Sequence, residues 1–404
     1  MTEPRRAAVV FIFITVVLDI LALGIVIPVL PVLVEDFLGG DTAQAAMMFG
    51  LFGTVWALMQ FIFAPVLGAL SDRFGRRPVI LISCFGLGLD YVLMAVAPSL
   101  GWLFVGRVLS GITAASFTTA GAYISDVTPI EKRAAGFGMI GAAFGVGFVL
   151  GPAVGGILGA VDPRLPFWVA GGLALANAAY GYFVLPESLP PEKRKPFSWR
   201  NANPMGSLQL LRRYPGLMGL ASVSVMYHLV HHVLPSVFVL YVGYRYGWNP
   251  RDTGLTLAAV GVMSIIVQGG LVRPLVARFG ERRVLLTGLS GGIVGYAIFG
   301  LAAAPTMFWL GLPVFGLMGL FNPSLQALMT RRVSASDQGQ LQGINGSFMG
   351  LTGIVGPGLF TWTFALAIGP RAGWHVPGAP FVLASVLLTV AWVIAWRVTM
   401  EPTS

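Results

Sequence analysis

The sequence predicts an all-α membrane protein with twelve transmembrane helices in two pseudo-symmetric six-helix halves. Long apolar runs, the placement of basic residues between them and an internal repeat lead to this prediction. Of the 404 residues, 56% are hydrophobic and 10% are charged, and the mean hydropathy is +0.81, outside the usual range of soluble domains. The net charge of +9 would suggest nucleic-acid binding in a soluble protein. Here the basic residues fall in short loops between apolar runs, so we expect a lipid bilayer as partner and no nucleic acid.

Twelve apolar runs are long enough to cross roughly 30 Å of hydrocarbon, which takes about 20 helical residues. Between the sixth and seventh runs lies the longest polar stretch, whose prolines and charges predict a linker. The predicted domains are therefore an N-terminal half at 1–185, a cytoplasmic linker at 186–214 and a C-terminal half at 215–404. The first run follows Arg5 and Arg6 without a cleavage-site pattern, which predicts a retained first helix and no targeting extension. The predicted spans are 7–34, 45–70, 79–97, 101–124, 134–158, 166–185, 215–243, 253–277, 284–303, 307–330, 339–366 and 376–397.

Basic residues alternate between the two sides of these spans. If the N-terminus is inside, twenty of the 25 lysines and arginines lie on the inner side, and Arg107 falls within a helix. The outer side holds Arg164, Arg245, Arg251 and Arg371. Because basic residues concentrate in cytoplasmic loops, this asymmetry predicts a multi-pass cell (inner) membrane protein with both termini cytoplasmic.

The two halves repeat each other at a constant offset of 205 residues. The stretch from Arg73 to Val79 recurs between Arg278 and Val284, and Gly151-Pro152 recurs as Gly356-Pro357. Parallel six-helix repeats are typical of alternating-access transporters.

The stretch GALSDRFGRRPV between the second and third spans predicts a gating loop at the membrane surface. Its glycines suit a close helix approach and a turn, its aspartate lies at a helix end, and its arginines favour the cytoplasmic side. Asp72 is expected to pair with a loop arginine, or to meet the N-terminal end of the eleventh span, as a latch. Its repeat position is Ala277, so the two loops are not equivalent. The gating-loop residues are Gly68, Asp72, Arg73, Gly75, Arg76 and Arg77.

Four motifs, in order along the chain, resemble the major facilitator superfamily, and within it the drug/proton antiporters related to tetracycline-resistance exporters. They are the helix-one stretch DILALGIVIPVLP from Asp19, the loop GALSDRFGRRPV, the helix-four stretch GRVLSGITAA around Arg107, and the helix-five stretch GFVLGPAVGG. The resemblance implies a twelve-helix exporter, proton coupling at the arginine motif and monomeric function. The antiporter-motif residues are Gly147, Gly151, Pro152, Gly155 and Gly156.

Two positions depart from that resemblance. Ser264 stands where the tetracycline exporters resemble one another in having a helix-eight histidine, and Gly292 stands where they carry a helix-nine aspartate. The resemblance therefore implies an exporter more firmly than it implies tetracycline as the drug.

Three charged residues lie well inside the predicted spans, where each needs a partner, a water-filled cavity or a function. Asp19 falls near the midplane and is a candidate proton carrier, since desolvation favours protonation of a carboxylate. The alternative is a helix-packing aspartate with a hydrogen bond to its neighbour. Asp90 and Arg107 flank one short turn at similar depth, so they are candidates for proton coupling or for a structural ion pair.

Helix seven carries His228, His231 and His232 near mid-membrane, at spacings that place them on one face. His228 and His231 are candidates for proton coupling, because histidine titrates near neutral pH, and packing with hydrogen bonds is the alternative. We expect no metal site, since no carboxylate or cysteine nearby completes one. The single cysteine, Cys84, excludes an internal disulfide and is interpreted as a helix-packing residue.

The substrate cavity is predicted from polar and aromatic residues on the helices that line it in the resembling architecture. Some of the polar residues would instead join helices to each other. The predicted cavity residues are Gln60, Phe117, Gln268, Phe321, Asn322, Gln326 and Asn345.

Together these features predict a proton-coupled exporter of an amphipathic small molecule, with the small molecule and protons as partners. Glycine-rich stretches such as GLGLDY lie within apolar runs, so no nucleotide or other cofactor and no enzymatic activity are expected. The alternatives are an uncoupled or metabolite-exporting facilitator of the same fold and a non-transporting membrane sensor or scaffold.

Overall fold

The structure, a computed structural model, describes residues 3–114, 116–128, 133–197, 210–334, 337–369 and 375–400. The helices of the first half are α1 (Glu3–Val26), α2 (Leu30–Phe37), α3 (Thr42–Phe74), α4 (Arg76–Val96), α5 (Leu100–Thr113), α6 (Ser116–Val127), α7 (Arg133–Gly159) and α8 (Leu165–Val184). Those of the second half are α9 (Leu210–Arg213), α10 (Met218–His231), α11 (Val233–Tyr246), α12 (Pro250–Ile265), α13 (Val272–Leu301), α14 (Pro305–Gly316), α15 (Phe321–Thr330), α16 (Gln338–Ile368) and α17 (Ala379–Val398). A π-helical turn, Ile266–Leu271, joins α12 to α13, and a 3₁₀ turn, Leu317–Leu320, joins α14 to α15.

Ten helical segments of the described chain are long and apolar enough to cross a membrane. One of them, Pro250–Leu301, spans 52 residues and contains two predicted crossings. Gly280 divides it, since its φ of 76° interrupts the helical geometry. The predicted crossing at 101–124 corresponds to the apolar helix α5 followed by α6. The prediction of twelve membrane helices is thereby confirmed.

A proline explains where the seventh crossing breaks. α10 ends at His231 and α11 begins at Val233, with Pro235 in its first turn. Proline has no N–H to donate to the carbonyl four residues earlier, so the helix cannot continue unbroken past His231. His232 consequently lies in the break rather than on a continuous helix face with His228. The sequence predicted all three histidines on one helix face. The structure keeps only His228 and His231 on the same helix, α10.

Helices α3 and α4 are separated by Gly75 alone, whose φ of 109° is strongly unfavourable for residues with a side chain. The predicted loop is thus a one-residue turn. Asp72 lies in the last turn of α3, and Arg76 and Arg77 begin α4.

The chain divides into two compact units. The first comprises Met1–Gly39, Val55–Asn203 and Asn249–Ala258. Its core is built where α1 packs on α7 and α8, and α4 packs on α8 and α5. Ile12, Val16, Ile20 and Tyr123 belong to a buried apolar cluster within it.

The second unit comprises Gly40–Thr54, Pro204–Trp248 and Ala259–Ser404. Here α13 packs on α17 and α14, and α10 packs on α17 and α16. Its core is aromatic: the rings of Phe299 and Phe308 stack at 4.1 Å, and Tyr241 meets Phe381 edge-on at 4.9 Å. The Tyr241 hydroxyl donates to the Phe299 carbonyl at 2.8 Å, which satisfies its polar atom inside the core.

The glycine-rich face of α7 packs directly on α1. A methyl group placed on Gly151 would lie 2.6 Å from the Gly24 α-carbon, and one on Gly147 would lie 2.4 Å from the Ile20 side chain. Small residues at such positions let two membrane helices approach closely enough for backbone contact. Because Ile20 is adjacent to Asp19, this packing also limits how far Asp19 can move.

Gly151→Ala should destabilise the protein by about 1–3 kcal/mol, since the new methyl group collides with the α1 backbone. Gly141→Ala is the matched control on the same helix, because nothing lies within 4 Å of its added methyl group. Thermal unfolding of both purified variants in detergent measures the difference. Equal melting temperatures would show that α1 and α7 are not held at this distance.

Candidate functional site

Asp90 of α4 and Arg107 of α5 form a buried ion pair. Arg107 Nη2 lies 3.0 Å from Asp90 Oδ2 and 3.1 Å from the sulfur of Met94. Asp90 is 1% exposed and Arg107 is 8% exposed, so the two charges compensate each other where little water reaches them. A methyl group on Gly106 would lie 2.5 Å from Asp90 Oδ1. Because Gly106 has no side chain, the Asp90 carboxylate can pack directly against α5.

Asp19 of α1 is 3% exposed and lies in the interior of the first unit. The Cys84 thiol of α4 lies within electrostatic range of this carboxylate. Asn177 of α8 donates from Nδ2 to the Thr15 carbonyl at 2.9 Å and to the Cys84 sulfur at 3.7 Å. We call Thr15, Asp19, Cys84 and Asn177 the buried polar cluster. These four residues come from three helices, α1, α4 and α8.

Tyr91 connects the buried polar cluster to the ion pair electrostatically. Its buried phenol lies within electrostatic range of Asp19, Asp90 and Arg107. The three charged residues singled out from the sequence are thus brought into one neighbourhood of the first unit.

The histidines of the second unit lie beside an aromatic stack. Tyr227 stacks on Phe321 at 4.0 Å and on His231 at 5.9 Å, and His228 meets the Tyr227 ring edge-on at 5.5 Å. His232 lies against Gly356, since a methyl group there would be 2.7 Å from the histidine Cβ. Two of the candidate groups, Phe321 and His231, therefore share Tyr227 as a neighbour.

The predicted cavity residues differ in their surroundings. Asn345 is 6% exposed, and neither atom of its amide has a partner in the described part of the chain. The side-chain oxygen of Gln326, Oε1, is also buried and unpartnered there, whereas Asn322 is exposed. Gln268 donates to Ser264 Oγ at 2.6 Å. Gln60 is half-buried on α3, and the side chain of Phe117 lies outside the described residues.

Gly292 lies against apolar side chains. A methyl group at this position of α13 would lie 2.8 Å from the Leu388 side chain and 3.1 Å from the Met318 sulfur. The surroundings of this position are therefore apolar.

Arg76 organises the gating loop. Its guanidinium contacts Asp72 at 2.6 Å, Ser71 Oγ at 2.7 Å and Asp126 of α6 at 3.1 Å. The predicted pairing of Asp72 with a loop arginine is present within the first unit. Arg73 lies over the Phe74 ring at 5.0 Å, and nothing lies within 4 Å of a methyl group placed on Gly68.

Glu187, which follows α8, caps the start of α4. Its carboxylate accepts backbone N–H bonds from Arg76 at 2.8 Å and Arg77 at 3.3 Å, and from Ser188 and Leu189 at 2.9 and 3.0 Å. A carboxylate at a helix N-terminus satisfies free N–H groups and complements the helix dipole. The Lys195 backbone N–H also donates to the Asp72 carbonyl at 3.0 Å. The beginning of the linker is thereby fixed to the gating loop.

The second copy of the loop uses a different ion pair. Glu281 of α13 contacts Arg331, which follows α15, at 2.5 Å. Nearby in the same unit, Asp337 accepts a hydrogen bond from the Tyr214 hydroxyl at 2.7 Å and lies 3.5 Å from Arg213. The Tyr214 hydrogen bond lowers the pKa of Asp337 below its usual value.

Comparison with known proteins agrees with this architecture. The sequence matches the Major Facilitator Superfamily over residues 12–318 and again over residues 271–404. It is 39% identical over 381 residues to the tetracycline resistance protein, class C, of Escherichia coli, covering 93% of this chain and 95% of that relative. It is 36% identical over 379 residues to the tetracycline resistance protein, class G, of Vibrio anguillarum, covering 91% and 93%.

The chain belongs to the Major Facilitator Superfamily. Among solved structures, the human organic anion transporter MFSD10 (TETRAN) superposes with a TM-score of 0.71 at 24% identity, covering 98% of this chain and 100% of that one. That likeness shows the same fold. The protein is accordingly a multi-pass membrane transporter of this superfamily.

Sequence reasoning missed two residues that the structure places in these sites, Glu187 and Asp126, which hold the gating loop of this superfamily member. Asn177, one of the polar residues inside the predicted spans, joins helices by contacting Thr15 and Cys84. The repeat offset was a signal for one of them, because Arg76 and Asp126 stand 205 residues before Glu281 and Arg331. Nothing local in the sequence points to Glu187 or to the contact of Asn177 with Cys84.

Arg107→Met should destabilise the protein by about 3–5 kcal/mol, because it leaves the Asp90 carboxylate buried without its counter-charge. The double variant Asp90→Leu/Arg107→Met should recover most of that loss. Thermal unfolding of the three purified proteins tests this. An Arg107→Met variant as stable as the parent would show that Asp90 is neutral or solvated in the folded protein.

Glu187→Ala should increase tryptic cleavage after Lys193 and Arg194 about tenfold. The variant loses the capping carboxylate, and with it about 1.4 kcal/mol of the free energy that holds the linker against the gating loop. Glu192→Ala is the control, because Glu192 is an exposed carboxylate of the same linker. Mass spectrometry of timed digests reports the rates. Identical rates in the two variants would contradict the docking role of Glu187.

Proposed function

We propose that the protein is a secondary active exporter that expels an amphipathic small molecule in exchange for protons by alternating access. The superfamily repeat and the tetracycline resistance proteins among its relatives support export of a drug-like compound. We place the protein in the bacterial inner membrane as a monomer with both termini in the cytoplasm, in keeping with the distribution of its basic residues.

The observation that carries proton coupling is the burial of Asp19. It lies nine residues after Val10, where the first membrane span begins, or about 14 Å along the helix at 1.5 Å per residue. A carboxylate held at that depth has lost the water that would stabilise its charge, so it needs a partner or a proton. In the proposed cycle Asp19 takes up an external proton and releases it inside.

Asp90 and Arg107 tune that step. Arg107 stays charged throughout, and its electrostatic range includes Tyr91, which also lies near Asp19. A change in the ion pair thus alters the field at the proton carrier. The gating loop, held by Asp72, Arg76 and Asp126, serves as a latch on the conformational change.

The second unit offers groups suited to binding a drug. Tyr227 and Phe321 offer a stacked aromatic surface, and the unpartnered amide of Asn345 offers a donor and an acceptor. The packed surroundings of Gly292 favour a drug that needs no carboxylate at that place. Tetracycline is the first probe because of the relatives, and a cationic dye is the second.

Asp19→Asn should abolish pH-gradient-driven transport, because an amide cannot bind and release a proton. The measurement is flux of tetracycline and of a cationic dye in proteoliposomes, with and without an imposed pH gradient. Asp252→Asn is the matched control, since Asp252 is an exposed carboxylate at the start of α12.

The possible results of this measurement distinguish the proposed function from its alternatives. Undiminished gradient-driven flux by Asp19→Asn would remove Asp19 as the carrier. Parent flux that ignores the gradient would identify an uncoupled facilitator. Absence of flux for both probes, with a different metabolite transported, would identify a metabolite exporter.

A further inference from the structure

The second unit contains a cavity of about 420 Å³ between the start of α13 and the middle of α15. This volume lies in the range of protein pockets that bind small molecules. The hydroxyl of Ser324, which lines the cavity, donates at 2.9 Å to the Leu320 carbonyl of the preceding turn, so it is already satisfied. Most of the wall is apolar. The apolar lining residues are Val272, Val276, Ala277, Pro323 and Ala327.

Two charged side chains also line this cavity, and they differ in whether their charge is compensated. Glu281 pairs with Arg331 at 2.5 Å. Arg273 is exposed, and its side chain forms no ion pair or hydrogen bond within the described residues. The cavity therefore combines an apolar wall with one uncompensated positive charge.

The carboxylates of the described second unit are engaged elsewhere. That unit has three of them, including Glu281, among the residues that the structure describes. The other two are Asp41, which accepts a hydrogen bond from Gln44, and Asp337, which accepts one from Tyr214. Charge complementarity at Arg273 therefore calls for an anion from outside the chain.

The repeat shows how this place differs from its counterpart in the first unit. Arg273 and Ala277 stand 205 residues after Gly68 and Asp72. In the first unit Asp72 pairs with Arg76, four residues later, at 2.6 Å. In the second unit an alanine stands four residues after the arginine, where a carboxylate would have given the same spacing. The cation beside the cavity is thus left without the internal partner that the first unit provides.

Arg273 lies close to one end of its membrane span. It is seven residues before Gly280, where the helical geometry is interrupted, or about 10 Å at 1.5 Å per residue. The arginines next to this turn belong to a loop that the distribution of basic residues places in the cytoplasm. The headgroup region of one leaflet is about 5–8 Å thick. A long arginine side chain can therefore extend from this depth to the lipid headgroups.

We propose that this cavity binds an anionic phospholipid of the cytoplasmic leaflet. The lipid phosphate pairs with Arg273, and the adjoining part of an acyl chain packs on Val272, Val276 and Pro323. Basic pockets between membrane helices on the cytoplasmic side bind anionic headgroups in this way. A lipid fits better than a soluble anion, because a free phosphate would leave the apolar wall exposed to water.

This binding site goes beyond the proposed export function, since neither the drug nor the exchanged proton enters it. Only the choice of leaflet depends on the orientation proposed above. The site can therefore be tested on the purified protein without any transport measurement.

Native mass spectrometry of the full-length protein in detergent measures the binding directly. The probes are phosphatidylglycerol, phosphatidylcholine with the same acyl chains, and glycerol phosphate. We expect phosphatidylglycerol to be retained more strongly than the other two. Equal retention of the two lipids would overturn the role of the positive charge. Equal retention of glycerol phosphate and phosphatidylglycerol would identify a site for free phosphate and overturn the assignment to a lipid.

Arg273→Gln should lower the affinity for phosphatidylglycerol about fivefold, the effect expected for one arginine close to an anionic headgroup. Arg283→Gln is the matched control, because Arg283 is an exposed arginine of the same helix that does not line the cavity. It should retain the affinity of the parent. An equal loss in the two variants would show general attraction between lipid and a basic surface, and would overturn the site.

Ala277→Asp gives a second reading with Arg273 retained, and it decides if Arg273→Gln does not fold. The new carboxylate, four residues after Arg273, should pair with the guanidinium and lower the affinity for phosphatidylglycerol by a similar factor. Ala277→Asn is its control, since it adds a side chain of the same size without the charge. Unchanged affinity in Ala277→Asp, or an equal loss in Ala277→Asn, would contradict Arg273 as the partner of the headgroup.

Discussion

An ionised side chain inside a membrane-spanning helix bundle is stable only where neighbouring groups replace the water that it has lost. The first unit meets this constraint with two different arrangements. Arg107 and Asp90 compensate each other at 3.0 Å, with the Met94 sulfur completing the surroundings of the guanidinium. Asp19 lies instead beside Cys84 and Tyr91, which are within its electrostatic range.

Close helix packing keeps these polar groups in register. Gly147 and Gly151 of α7 allow backbone contact with α1 on either side of the turn that follows Asp19. Larger residues would separate the helices and open the site to lipid or water. The glycines of the predicted antiporter motif thus fix the surroundings of Asp19, although α7 itself contributes no ionisable group between Gly136 and Gly159. The same helix contacts α12 through Gly156 and Gly254, where a methyl group would lie 3.0 Å from the facing α-carbon.

Much of the architecture was predictable because it depends on local sequence. Apolar length determines the spans, and the similar distance of Asp90 and Arg107 from one turn places them at the same depth. The break at His232 was also readable from Pro235, had its missing N–H been counted. The cap by Glu187 was not, because it joins residues 111 positions apart and no helical period connects them. The contact of Cys84 with Asn177 depends in the same way on how α4 and α8 are rotated about their axes. A repeat offset and a charge count do not determine those rotations.

The two halves also share an ion pair at equivalent positions, although the residues that form it are not identical. Arg76 pairs with Asp126 in the first unit, and Glu281 pairs with Arg331 in the second. Each partner of the second pair stands 205 residues after its counterpart, with the sign of the charge reversed. Replacing one residue of a pair alone by the opposite charge would place like charges opposite each other, which is destabilising. The constraint at this position is therefore the attraction between the two helix ends, whichever end carries the positive charge.

The same reasoning explains why the second loop tolerates Ala277 in place of Asp72. Asp72 is a partner of Arg76. The residue equivalent to Arg76 is Glu281, and a glutamate does not need a second carboxylate beside it.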